Sequence, residues 1–106
     1  MKITKELRTL LREEVIRLND KLFNDQNDCY FETRFAGKFL YLDFVQNMMS
    51  EQRCRLTYNG NMDDWLFDLF EWSSEKYNTE DDFFNGADEI DGTIEGAMKA
   101  GYLAYK

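Results

Sequence analysis

The sequence predicts an α+β fold: an N-terminal helix, a four-stranded antiparallel meander and a C-terminal helix, with both helices on one sheet face. Three observations support this fold class. Apolar residues recur every three or four positions in the first 23 residues, apolar and polar residues alternate from Cys29 onward, and the connections between the alternating segments are short. Because the 106 residues contain one such series of elements, we expect a single domain over residues 1–106.

The first helix is expected over residues 4–23. Thr4 is a suitable N-cap, since its hydroxyl can accept a hydrogen bond from an unpaired backbone N–H of the first turn. The polar tract 24–28 can end the helix through side-chain bonds to the backbone. The apolar stripe of this helix comprises Ile3, Leu7, Leu10, Leu11, Val15, Leu18 and Leu22.

Alternation of apolar and polar residues predicts the strands. They are expected over residues 29–35, 39–45, 53–58 and 65–72. Gly37 can supply the positive φ of the first turn, and an Asn-Gly-Asn sequence at 59–61 closes the third strand. In the third strand, strict alternation would place Arg53 and Arg55 on one face and Cys54 on the other.

Bulky aromatic residues in the fourth strand favour a strand over a helix. Trp65 and Phe67 alternate with Phe70 and Trp72, so one of these pairs should line the sheet face that the helices leave uncovered. The alternation does not decide which pair does so.

The C-terminal part is expected to form a loop and a second helix. Residues 73–91 lack a steady period, and we interpret them as an ordered loop held by Phe83 and Phe84. Asp91 or Thr93 can cap a helix over residues 93–105. One face of that helix carries only small residues, which allows close packing on the sheet: Gly96, Ala97, Ala100, Gly101 and Ala104.

The charge distribution disfavours binding to nucleic acids. The net charge is −8; residues 1–58 carry ten basic and nine acidic residues, or +1, whereas residues 59–106 carry three and twelve, or −9. Nucleic-acid affinity comes chiefly from Lys and Arg, so we expect no direct contact with DNA or RNA, although a basic patch could persist on the first helix. No apolar run is long enough to cross a membrane.

The residue types also limit the possible chemistry. The chain has no histidine, which excludes histidine-based catalytic triads and zinc sites within one chain. Cys29 and Cys54 are interpreted as buried thiols in preference to a disulfide, and with no export signal apparent we expect a cytoplasmic protein. No cofactor is expected.

Acidic residues near the second helix raise the alternative of a calcium or magnesium site. They are Glu80, Asp81, Asp82, Asp88, Glu89 and Asp91. Aligning Gly86 with the glycine of an EF-hand loop puts Phe83 and Gly92 at positions that need oxygen ligands, so we favour a solvated acidic loop and expect no metal site. Gly92 and Thr93 could instead cradle a phosphate, but the surrounding negative charge favours self-capping.

Three stretches, at residues 34–42, 55–77 and 91–101, resemble an uncharacterised family of small bacterial domains. The most specific is the closing Asp-Gly-Thr-Ile-Glu-Gly-Ala-Met sequence that begins at Asp91. The chain departs from the family pattern at Asn85, where a Phe-Pro-Gly sequence would be expected before the helix. The resemblance implies a bacterial or phage origin and a single folded module, and it implies no activity, cofactor or catalytic residue.

These observations favour a non-catalytic protein-interaction module over an enzyme. Exposed Tyr and Trp are frequent anchors of protein contacts. The expected surface combines one sheet face with the acidic loop and comprises Tyr30, Tyr41, Trp72, Glu80, Asp81 and Asp82. The partner would be another protein or a second copy of the chain. Two alternatives stay open: an acidic inhibitor that mimics a nucleic acid in a basic protein groove, and a small-molecule enzyme or carrier.

Overall fold

A computed structural model describes residues 2–23, 28–78 and 84–105, and it confirms the α+β class. The elements are α1 (Lys5–Phe23), β1 (Cys29–Ala36), β2 (Phe39–Gln46), β3 (Met49–Thr57), β4 (Leu66–Glu71), β5 (Lys76–Asn78), a 3₁₀ helix (Ala87–Glu89) and α2 (Ile94–Ala104). The strands form one antiparallel sheet in the order β1-β2-β3-β4-β5, which is a meander. Neither α-helix in the described ranges is long and apolar enough to cross a membrane.

Both helices begin at the caps that the sequence indicates. The Thr4 hydroxyl accepts a hydrogen bond from the Leu7 N–H at 3.2 Å, and the Thr93 hydroxyl accepts one from the Gly96 N–H at 3.0 Å. Each cap satisfies a backbone donor that the helix itself leaves unpaired. The first residues of α1 and α2 therefore directly follow these threonines.

The two helices lie on the same sheet face, as predicted. One core cluster joins Leu11 and Val15 of α1, Ala97 and Met98 of α2, and inward-facing residues of β1 to β3 such as Phe31. Gly101 of α2 lies so close to the sheet that a Cβ built on it would be 3.4 Å from the Phe31 ring. The small face of α2 thus packs against the sheet.

The segment expected to be one long loop contains a fifth strand. Lys76–Asn78 pairs with β4, with Tyr77 opposite Phe70. Three residues are too few for an alternating pattern to stand out, which explains why the sequence predicted four strands. The Phe84 ring stacks on Phe67 at 5.8 Å, so this aromatic does hold the segment, whereas Phe83 lies outside the described residues.

A β-bulge in β3 corrects the expected placement of Arg53. Leu42 pairs with Cys54 and Asp43 pairs with Gln52, so Arg53 is the extra residue. Its side chain lies on the helix side, where it donates a 2.7 Å hydrogen bond to the Gly101 carbonyl. Arg53 therefore does not share a face with Arg55.

The turn between β2 and β3 places a methionine in an unfavourable conformation. Asn47 and Met48 have φ angles of 53° and 65°, as in the primed hairpin turns that favour Asn-Gly. We expect Met48→Gly to raise the free energy of unfolding by about 0.5–1 kcal/mol, since glycine has no Cβ penalty at positive φ but costs some chain entropy. Chemical denaturation measures this change.

Met49→Gly is the matched control for that substitution. Met49 is also exposed, but it begins β3 and its φ is not positive. Glycine there should lower stability, because it weakens a strand without relieving any strain. Equal effects of the two substitutions would contradict the turn strain.

Candidate functional site

The sheet face opposite the helices, which we call the open sheet face, carries the candidate site. Strand pairing fixes its members: Arg34 of β1 pairs with Tyr41 of β2, Tyr41 pairs with Arg55 of β3, and Arg55 pairs with Asp68 of β4. Side chains of directly paired residues point to the same side of a sheet. The main side chains of the open sheet face are Tyr30, Glu32, Arg34, Phe39, Tyr41, Asp43, Arg55, Leu66, Asp68, Phe70 and Tyr77, and Trp72 adjoins them.

Five aromatic rings form a continuous chain across this face. Ring centroids are 6.1 Å apart between Phe39 and Tyr41, 5.3 Å between Tyr41 and Tyr77, 5.0 Å between Tyr77 and Phe70, and 4.8 Å between Phe70 and Trp72. All four contacts are tilted or edge-to-face, the arrangements that aromatic pairs prefer. We call these five residues the aromatic chain. It crosses the sheet from β2 to the residue that follows β4.

Two arginines are fixed over the aromatic chain by buried carboxylates. Arg34 binds Asp43 through Nε at 2.5 Å and Nη2 at 3.0 Å, and its guanidinium lies 4.6 Å from the Tyr41 ring centroid. Arg55 binds Asp68 through Nε at 2.8 Å and lies 4.5 Å from the ring of Phe39. Each guanidinium therefore combines a charge-assisted hydrogen bond with a cation–π contact.

Burial of the two carboxylates makes these pairs structurally important. Asp43 is 7% exposed and Asp68 is 3% exposed, although no helix in the described ranges covers this face. The covering groups include the arginines themselves. One oxygen of Asp68, Oδ1, is buried without a hydrogen-bond partner among the described residues. Such a carboxylate depends on its arginine, because an unpaired buried charge is costly.

The ionisation of this network follows from its contacts. The hydrogen bond to Asp43 raises the pKa of Arg34 above its usual value. Burial alone would lower the pKa of Arg55, but the hydrogen bond and charge of Asp68 raise it overall. Burial raises the pKa of Tyr77 to about 12, so its hydroxyl is neutral at physiological pH and can accept the 3.3 Å hydrogen bond from Arg34. The network is charged at the arginines and neutral at the tyrosine.

The accessible apolar groups lie toward the margins of the face. Trp72 is 48% exposed at one end of the aromatic chain, while its neighbour Phe70 is buried. Tyr30 is 41% exposed on β1, and Leu66 is exposed on β4. These exposed side chains are therefore accessible and are carried by strands of one antiparallel sheet.

Three of the six site residues expected from the sequence lie on or beside this face. Tyr41 and Trp72 belong to the aromatic chain, which resolves the alternation in strand four: Phe70 and Trp72 adjoin the open face, whereas Phe67 pairs with Leu56 on the helix side. Tyr30 lies on the same face, near the N-terminal end of β1. The remaining three, Glu80, Asp81 and Asp82, lie outside the described residues.

Sequence reasoning missed the two arginines and Tyr77. A signal for Arg34 existed, because a two-residue turn at 37–38 pairs it directly with Tyr41. Arg55 alternates with apolar residues and could have been placed on the same face. Tyr77 gave no such signal, since its strand has only three residues.

The acidic residues near α2 stabilise the helix terminus. The Asp91 carboxylate accepts hydrogen bonds from the Thr93 backbone at 3.0 Å and from the Thr93 hydroxyl at 2.5 Å, and these bonds lower the pKa of Asp91. Glu95 pairs with Lys21 and Lys99, which lower its pKa in turn. In the described ranges, no group of three or more Cys, Asp or Glu residues is arranged to hold a metal ion.

The two cysteines are buried and form no disulfide. Burial raises the pKa of the Cys54 thiol, which keeps it protonated. Since the thiolate is the nucleophilic form, Cys54 behaves as a small core residue.

Comparisons of this chain with protein-family models, with curated proteins and with solved structures find no match.

Proposed function

We propose that this domain is a non-catalytic protein-interaction module that binds a protein partner through the open sheet face. The observation that carries the proposal is the aromatic chain, which ends at the half-exposed Trp72 and holds two arginines in fixed positions. Trp, Tyr and Arg are the residue types that most often dominate binding energy in protein interfaces.

Preorganisation supports this use of the face. Arg34 and Arg55 are each bound to a carboxylate and stacked on a ring, so their side chains lose little further freedom when a partner binds. The ionic groups there are engaged with one another, an arrangement that suits recognition better than proton transfer.

Net charge favours a different protein over a second copy as the partner. Two copies would each carry −8, and their repulsion would oppose face-to-face association. A partner of neutral or basic net charge avoids this cost. The proposed setting is the cytoplasm, in keeping with two buried cysteines that form no disulfide.

Trp72→Ala tests the proposal. We expect it to weaken binding about tenfold, because an exposed aromatic anchor is lost while the fold is kept. The partner is first captured on the immobilised domain and identified. Calorimetry then measures the dissociation constant of its complex with the wild-type domain and with the Trp72→Ala variant. Circular dichroism checks the fold, and analytical ultracentrifugation checks self-association.

The matched control is Leu10→Ala, which removes an exposed apolar side chain from α1 on the opposite side of the molecule. It should leave the dissociation constant unchanged. Unfolding of the Trp72→Ala protein would show that Trp72 is a core residue. A second result would also contradict the proposal: the Trp72→Ala variant binds normally, while Glu80→Lys and Asp82→Lys abolish capture of the partner. That result would favour the acidic-mimic alternative.

A further inference from the structure

β1 is an edge strand, and half of its backbone groups point away from the sheet. The Asn19 side chain marks the outer side: it accepts a hydrogen bond from the Phe31 N–H at 2.8 Å and donates one to the Phe31 carbonyl at 2.9 Å. The Gly37 carbonyl also points outward, since it accepts a bond from the Ile3 N–H at 2.9 Å. Because alternate residues of an antiparallel strand share one direction, the N–H and C=O groups of Thr33 and Phe35 point to the same edge.

The edge is therefore satisfied at both ends and open between them. The side-chain amide of Asn19 bonds to both the N–H and the C=O of Phe31, as the backbone of a neighbouring strand would. Thr33 and Phe35 have no backbone hydrogen-bond partner on that side among the described residues. Unpaired edge groups of this kind are a template for another strand.

A groove runs beside this edge, between β1 and α1. Its volume is about 360 Å³, and its lining includes Glu32 and Thr33 of β1 together with Arg12 and Ile16 of α1. The Glu32 carboxylate accepts a 3.5 Å hydrogen bond from the Tyr30 hydroxyl on the open side of the strand. Ile16 is 68% exposed although it borders the core helix face. An extended segment placed along β1 would cover Ile16 with one of its side chains.

Basic residues that have no acidic partner among the described residues flank the groove on the α1 side. In the described part of the chain, Lys5, Arg8 and Arg12 form no ion pair, whereas Arg17 and Lys21 further along α1 pair with Glu14 and Glu95. The guanidinium groups of Arg8 and Arg12 lie 5.5 and 5.1 Å from the Phe35 ring. The chain as a whole has a net charge of −8, whereas the helix residues beside this strand edge are positively charged and form no ion pair among the described residues.

We propose that this edge binds an extended acidic peptide segment of another protein, which adds to β1 as a sixth strand. The N–H and C=O groups of Thr33 and Phe35 supply up to four main-chain hydrogen bonds, and Lys5, Arg8 and Arg12 attract the carboxylates of the segment. Symmetric pairing with a second copy is disfavoured, since it would bring two such basic groups together. The groove shares Tyr30 and Glu32 with the open sheet face, but the site does not use the aromatic chain, because the backbone groups of Thr33 and Phe35 and the basic residues of α1 lie outside it.

The probe for this proposal is a short fluorescent peptide of alternating glutamate and valine, titrated into the full chain at low salt. We expect saturable binding, and in the Arg8→Glu/Arg12→Glu variant we expect it to weaken about tenfold or more. A peptide of lysine and valine is the charge control: the net charge of −8 can attract it elsewhere on the chain, but it should not slow hydrogen exchange of the Thr33 and Phe35 amides. Trp72→Ala should leave the affinity for the peptide unchanged, which separates this proposal from the proposed function.

Backbone pairing is tested by hydrogen exchange and by an N-methylated version of the same peptide. The unmodified peptide should slow exchange of the Thr33 and Phe35 amides, and the N-methylated one should bind about tenfold more weakly or worse. Equal binding of both peptides, or unchanged exchange at these amides, would show attraction by charge alone and overturn the proposal. Concentration-dependent protection of these amides without peptide, with dimers in ultracentrifugation, would identify a second copy as the occupant and also overturn it.

Discussion

Arg55→Ala is expected to lower the free energy of unfolding by about 3 kcal/mol, the lower end of the range for a broken buried ion pair. Asp68 is 3% exposed, and Arg55 donates the two hydrogen bonds that its Oδ2 accepts. Without the guanidinium, this buried carboxylate loses both hydrogen bonds to Oδ2, and its Oδ1 already has no partner among the described residues. The loss is measured by chemical denaturation.

Two further variants make that expectation specific to a buried charge. Asp68→Ala should cost less, because the partly exposed Arg55 can turn toward water. The double variant Arg55→Met/Asp68→Leu should recover most of the lost stability, since apolar residues of similar size often replace a buried pair at little cost. Equal losses in the two single variants would show that Asp68 is well solvated and that the pair is an ordinary surface ion pair.

The same series bears on function. If the arginines of the open sheet face serve mainly to hold a binding surface, the double variant should keep the fold and yet bind the partner more weakly, because Arg55 stacks on both Phe39 and Tyr77. The double variant would then have a nearly normal free energy of unfolding but a higher dissociation constant for the partner. Residues whose replacement lowers binding without lowering stability are the ones that a structural role does not explain.

Most of the fold could be predicted from the sequence, because its periods are long and consistent. α1 and α2 differ from the expected ranges by only one or two residues, since the threonine caps mark their first turns. β3 begins at Met49, four residues earlier than expected. Its first residues are exposed and do not alternate, so their strand character comes from backbone pairing with β2 and leaves no hydrophobic pattern.

The candidate site was less predictable, because it depends on pairing between distant strands. Tyr41 and Trp72 are connected through the rings of Tyr77 and Phe70. This connection requires β5 to pair with β4 in one register. A bulge also moves Arg53 to the helix side, and nothing in the local alternation indicates a bulge. Local patterns identify the rings, whereas the register decides which of them meet.

Gly101→Leu is expected to lower the free energy of unfolding by about 1–3 kcal/mol, although leucine is the better helix former. A Cβ at Gly101 would be 3.3 Å from Cγ of Arg53, 3.4 Å from Sγ of Cys54 and 3.4 Å from the Phe31 ring. One methyl group can be accommodated there if Arg53 shifts slightly, but a leucine side chain must separate α2 from the sheet. Thermal and chemical denaturation both measure the loss.

Gly101→Ala and Ala97→Leu complete that experiment. Gly101→Ala should be close to neutral, because about 1 kcal/mol of helix propensity offsets the tight contact with Arg53. Ala97, 2% exposed in the same core, should respond to leucine as Gly101 does. If both leucine variants matched or exceeded the wild-type stability, the small face of α2 would have to point to solvent, and the close docking of this helix over Phe31 and Cys54 would be wrong.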